Sequence, residues 1–267
     1  IMNLAKGVRY LATALVTATL AYASPTYSQE KAETAAPANS SEAPEGIECT
    51  PTYCKLPPKA PQSLSCEGLE DKVTSVEVNI SLTDYMLHLQ GVLPEEYGGK
   101  CTYIEQRIIA GMKDKDKDWR TPEIESEITY TIVNPFWSPP PSILKELKKK
   151  HSQEWVDKMY AHKDGIYQYP GPTNPLGKVK FYFPNNQGVL VHGTPKKSHS
   201  LFDYEKREFS HGCIRIEDEV GFLKKLVELS GTKEDCDDAC LDRLLEKGIT
   251  KKLDFKTPVK ISIKRDR

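Results

Sequence analysis

Residues 179–218 read VKFYFPNNQGVLVHGTPKKSHSLFDYEKREFSHGCIRIED. VKFYF alternates as a half-buried strand does, Asn-Asn-Gln-Gly is a turn, and GVLVHG resumes the extended pattern. The segment is therefore a β-hairpin that carries His192 to the end of a strand. A long polar loop leads to SHGCIRIED, where Gly212 suits a bend and Asp218 suits a helix cap. His192 and Cys213 are distant in sequence, but a strand, a loop and a strand-to-helix turn bring such ends together. Within hydrogen-bond reach, the imidazole removes the thiol proton and gives a thiolate able to attack an acyl carbon. Gly193 and Gly212 allow close backbone approach at these points, and the amides of Gly212 and Cys213 are placed to face an oxyanion.

Outward from this segment, the chain is strand-dominated. Val76, Val78, Ile80 and Leu82 alternate, and Met86 resumes the pattern after a turn at Thr83-Asp84. CTYIEQRIIAG from Cys101 and the alternation at Ile128, Tyr130 and Ile132 add two more strands. KDKDKD at 113–118 has no apolar face and reads as a solvated hairpin tip. NPFWSPPPS breaks regular structure, and residues 142–162 read as helix, with Ser152 capping a second one. Val220, Leu223, Leu226 and Val227 recur at helical spacing. Thr232-x-x-Asp235 resembles a capping box, and Gly248 stops that later helix. PVKISI near the end reads as an edge-like strand. The expected fold class is mainly β with inserted and peripheral α-helices. Trp119, Trp137 and Trp155 read as packing aromatics, and Glu217, Asp218 and Glu219 as carboxylates favouring a helix start.

The 267 residues suffice for one domain with a sizeable core. Lys and Arg number 37 against 38 Asp and Glu, so phosphate neutralisation does not drive binding and no nucleic-acid partner is expected. Lys6 and Arg9 precede an apolar, small-residue run ending Ala21-Tyr22-Ala23, the pattern of a secretory signal peptide over 1–23. Residues 24–48 are rich in Ala, Pro, Ser and Glu and read as a flexible linker. A cysteine-bearing extension follows at 49–71, and the main domain occupies 72–267. Seven cysteines in an exported chain leave an odd thiol, and the pairing of the rest stays open. Cys213, between His211 and Arg215, is the thiol expected to stay reduced while the others are oxidised. Neither a metal site nor a cofactor motif stands out: no P-loop, Gly-rich dinucleotide turn or H-E-x-x-H occurs.

SHGCIR at 210–215, with His192-Gly193 upstream, resembles the active-site signature of L,D-transpeptidases with a YkuD-like catalytic domain, in their periplasmic Gram-negative branch. VNPFWSPPPSIL at 133–144, NPLGKVKFYFPN at 174–185 and TPKKSHSLF at 194–202 resemble further motifs of that family, in the same order. The resemblance covers about residues 74–264. It implies a β-sandwich core, a periplasmic location, peptidoglycan stem peptides as substrates, and inhibition by β-lactams of the carbapenem type. It also implies a cysteine that attacks the carbonyl of the third stem residue and expels D-Ala. An amine of another stem then resolves the thioester to a 3-3 cross-link. Carried over, Cys213 is the nucleophile and His192 the base, with the Gly193 carbonyl orienting His192. His211 and Gly212 shape the site and the oxyanion hole, Arg215 holds the turn or a substrate carboxylate, Ser210 supports the same loop, and Thr194 binds substrate or supports the site. Hydrolysis through the same acyl-enzyme, as an L,D-carboxypeptidase or amide hydrolase, differs only in the acceptor. A non-catalytic wall-binding protein is a third reading, and a monomer is expected.

Overall fold

The computed structural model describes residues 64–115, 117–163 and 165–265, and the backbone of a two-residue strand pair, Glu48–Cys49 with Cys54–Lys55. Apart from the Glu48 backbone, the signal-peptide and linker segments expected over 1–48 lie outside the described residues, as do the side chains of Cys49 and Cys54.

Nine strands make the main sheet. In chain order they are β1 (Ser75–Ser81), β2 (Met86–Val92), β3 (Lys100–Gly111), β4 (Ile124–Val133), β5 (Val179–Tyr182), β6 (Val191–His192), β7 (Glu208–Ser210), β8 (Ile214–Ile216) and β9 (Lys251–Lys264). The spatial order is β7-β3-β8-β6-β5-β4-β9-β1-β2, and β2 also pairs with β3. The β2 end therefore folds back onto β3, and the sheet closes into the sandwich-like body expected of a mainly β chain. Long strands allow this: β3 pairs with β2 along its first half and with β8 along its second.

Alternation explains which side faces in. Val78 and Ile80, Leu87 and Leu89, Val179 and Phe181, Val191, Ile214 and Ile216 are all buried in one apolar cluster. Helix α3 (Glu219–Ser230) adds Phe222, Leu223, Leu226 and Val227 to it, with the Phe222 ring edge-on to Phe181 at 5.0 Å. Each such side chain contributes about 1.5–3 kcal/mol by leaving water. Helix α4 (Asp238–Glu246) follows, and Leu241 joins the same cluster. A smaller cluster surrounds the Cys66–Cys101 disulfide, which ties the segment before β1 to β3. Cys236 and Cys240 form a second disulfide.

Two sequence expectations change. The PVKISI run belongs to β9, which pairs with both β4 and β1 and is not an edge. Pro258 is tolerated because the β4–β9 register shifts between Asp254 and Val259, so its missing N–H falls within an irregular stretch. Thr232 does not cap the later helix. Its hydroxyl accepts from Cys236 N, and Asp237 caps α4 by accepting from Cys240 N at 2.8 Å. Asp218 caps α3 and Ser152 caps the second inserted helix, as their positions suggest.

Between β4 and β5 the chain leaves the sheet for an insertion carrying α1 (Pro141–Lys150) and α2 (Gln153–Tyr160). Asn134 starts it with φ 46°, a conformation Asn tolerates better than most residues. The side-chain amide of Asn134 donates to the Leu244 and Ile249 carbonyls, anchoring the exit point.

Candidate active site

The strand ladders fix where the candidate residues stand. In the parallel pair β6/β8, Val191 lies opposite Ile214 and His192 opposite Arg215. Val191 and Ile214 face the core, so His192 and Arg215 face outward. Lys180 is opposite His192 in β5/β6, and Ile109 is opposite Arg215 in β8/β3. One outward row thus runs Lys180, His192, Arg215, Ile109. Continuing the same register places Leu190, Cys213 and Gly111 in the next row, consistent with the Ile214 N–H donating to the Leu190 carbonyl. His192 and Cys213 therefore share a face of neighbouring strands, one row apart.

His192 is 5% exposed, and its Nδ1 is 2.7 Å from the Gly193 carbonyl oxygen. That carbonyl can only accept, so Nδ1 carries the hydrogen and the lone pair lies on Nε2. Burial, reinforced by the Arg215 and Lys180 cations, lowers the imidazole to about 3. Burial also pushes the Cys213 thiol up, against a backbone hydrogen bond from Leu190 and the charge of Arg215. Both directions favour a resting pair of neutral thiol and neutral imidazole.

Gly193 is required by what lies behind it. A Cβ there would meet the Glu219 carboxyl carbon at 2.4 Å, and one on Gly177 would meet the Gly193 carbonyl carbon at 2.7 Å. Glu219 is buried, and its Oε1 accepts the Lys178 N–H at 3.0 Å. The helix-start reading of Glu219 missed this, because the contact joins segments far apart in sequence. Gly193→Ala is expected to cost about 1–3 kcal/mol by overpacking. Thermal unfolding checks it, with E219A in the G193A background recovering part of the loss.

The loop that carries Cys213 is held from beneath. Gly212 adopts φ 114°, and Gly111 lies so close that a Cβ there would overlap the Trp119 carbonyl. The Ser210 hydroxyl donates to the Cys213 carbonyl and accepts from the Gly212 N–H. The Gly212 amide is thus occupied. Thr194, 3% exposed, has a hydroxyl with no partner among the described residues.

His211 points elsewhere. Its Nε2 is 3.3 Å from Glu146 on α1, and its ring lies 4.2 Å from that of Trp119. Burial lowers its pKa, and Glu146 opposes this. Lys117 bonds the other Glu146 oxygen at 2.7 Å and sits over the Trp119 ring at 4.7 Å. The insertion leaves the sheet after Val133, rejoins it at Val179, next to the Lys180–His192 pair, and meets His211 through Glu146. The KDKDKD hairpin tip, paired at Lys113–Asp118, is therefore bonded to α1 through Lys117 rather than only solvated. Trp119 packs its ring on His211 and also lines an open cleft of ≈ 260 Å³ with Arg120, Gln187, His211, Gly212 and Cys213.

Both neutral histidines carry a pH signature. Their pKa values lie below the unfolded one, so the unfolded chain binds more protons at pH below about 6.5 and stability falls as pH drops. His192 contributes a slope of about 1.4 kcal/mol per pH unit between its unfolded value and about 3. Urea unfolding between pH 7 and 5 should show this slope flattened by one proton in His192→Asn.

The family model described as the L,D-transpeptidase catalytic domain, YkuD, matches residues 76–233. A Haemophilus influenzae protein named "Putative L,D-transpeptidase" is 25% identical over 156 residues, 49% of this chain. That match spans 31% of the relative, about a third of its length. The solved structure of Bdellovibrio bacteriovorus Bd1075 aligns with a TM-score of 0.27 and 14% identity, over 62% of this chain and 47% of that one. The segment matched by the family model contains the outward face with His192, Cys213 and Arg215, and the chain belongs to the L,D-transpeptidase catalytic-domain family.

Proposed function

We propose that the protein is a periplasmic peptidoglycan L,D-transpeptidase that forms 3-3 cross-links through a thioester on Cys213. The observation carrying this reading is the shared outward face of His192 and Cys213, with Nδ1 held by Gly193 and Nε2 left to accept a proton. As the sulfur attacks the carbonyl of the third residue of a donor tetrapeptide, its proton passes to Nε2. The oxyanion receives the Cys213 amide. Collapse breaks the bond to D-Ala, which leaves as an amine with the proton from His192. An acceptor amine gives up a proton to Nε2, attacks the thioester and regenerates the thiol.

Two disulfides among the described residues, with Cys213 free, fit an oxidising compartment. Hydrolysis is the second reading, favoured by the openness of the cleft at Cys213, where water can act as acceptor. Mass spectrometry of disaccharide-tetrapeptide incubated with the full chain separates the two. The proposal expects a cross-linked dimer with release of D-Ala; disaccharide-tripeptide alone would replace transpeptidation by carboxypeptidase activity.

A further inference from the structure

Lys180, an outward-facing cation, has no counter-charge among the described residues. Lys180 stands opposite His192, and because Val179 and Phe181 on either side of it enter the core, its side chain leaves on the His192 face. It is half-buried, and burial alone shifts its ammonium, downward, with no acidic group opposing. Other cations near this face are paired: Arg107 with Glu217 and Asp203, Lys117 with Glu146. Desolvating a charge without pairing it is unfavourable, so an unpaired ammonium in a substrate face points to an anion supplied by a ligand.

A second observation lies beside it. Two residues past His192, the buried Thr194 hydroxyl has no hydrogen-bond partner among the described residues. Such a group is costly unless something completes it. Lys180 is paired with His192 across β5/β6, and Thr194 follows His192 by two residues, so both groups stand by the imidazole; neither lines the open cleft at Cys213.

We propose that Lys180, with the Thr194 hydroxyl, forms a subsite that takes a carboxylate of the donor stem peptide and so sets its scissile carbonyl against Cys213. This rests on the stem-peptide reading above and names the specificity contact within it. The carboxylate has two sources, the terminal D-Ala and the residue that precedes the diamino acid, and they share the same recognition chemistry. Lys180 acts by positioning the substrate, so it should affect binding before chemistry.

Calorimetric titration of full-length C213A with disaccharide-tetrapeptide tests this without turnover. Adding K180M is expected to weaken binding about tenfold or more, the lower end for a charge-assisted hydrogen bond, while K180R retains most of the affinity. Donors amidated at the D-Ala carboxylate or at the preceding residue's carboxylate identify the partner: K180M should cause no further loss for the amide that removes it. Melting temperatures of the variants show that the fold is kept, and the K180R comparison holds the question open to measurement if K180M melts early. Equal affinity of K180M and its Lys180 parent for the unmodified donor would overturn the subsite. Absence of donor binding by C213A itself would instead overturn the stem-peptide reading, and the subsite with it.

Discussion

Full-length Cys213→Ala is expected to form neither cross-linked dimer nor tripeptide from disaccharide-tetrapeptide, with turnover below about 10⁻³ of wild type. Removing the nucleophile removes the acyl-enzyme route as a whole rather than one increment of it. The substitution should leave the fold intact. Cys213 is partly exposed, makes no disulfide, and its loop is held by Ser210, Gly212 and Gly111, none of which needs the sulfur. A stability change within about 1 kcal/mol is expected for loss of so small a side chain. Release of D-Ala by folded C213A at near wild-type rate would remove the nucleophile assignment.

His192→Ala is expected to slow acylation at least ~10²-fold, the lower end for loss of a positioned general base. His192→Gln, closer in volume, separates this from a packing defect, since His192 is buried. His211→Ala should be milder. It breaks the contact with Glu146 and the tilted ring contact with Trp119, so it loosens the link between this loop and α1 without removing the base. The rate at which a carbapenem adds to Cys213, followed by intact mass, reads both. Wild-type rates in H192A with a collapse in H211A would transfer the base role to His211.

Local pattern carried much of the fold because inward residues alternate cleanly. Phe181, Val191 and Ile214 are legible as strand positions from their neighbours alone. The hairpin delivering His192 and the turn at Gly212 were legible for the same reason, since both are local. What local pattern missed depends on closure. PVKISI looked like an edge because Pro258 removes a donor, and only the register shift shows how a strand paired on both sides accommodates it. Glu146, Lys117 and Glu219 gave no sequence signal, because each acts across a long separation: on a helix face, at a charged hairpin and at a helix start, their residue types are ordinary. Lys180 lay in plain view inside VKFYF, but alternation marks it only as outward. Its position in the His192 row emerges from the pairing of three strands.

The central claim, that acyl transfer passes through Cys213, is tested most directly by trapping. Wild-type protein mixed with disaccharide-tetrapeptide and quenched in acid should carry a disaccharide-tripeptide acyl group, mapped to the peptide containing Cys213 and labile to hydroxylamine, with matching D-Ala released. Release of D-Ala with no adduct, or with the acyl group on another residue, would contradict it.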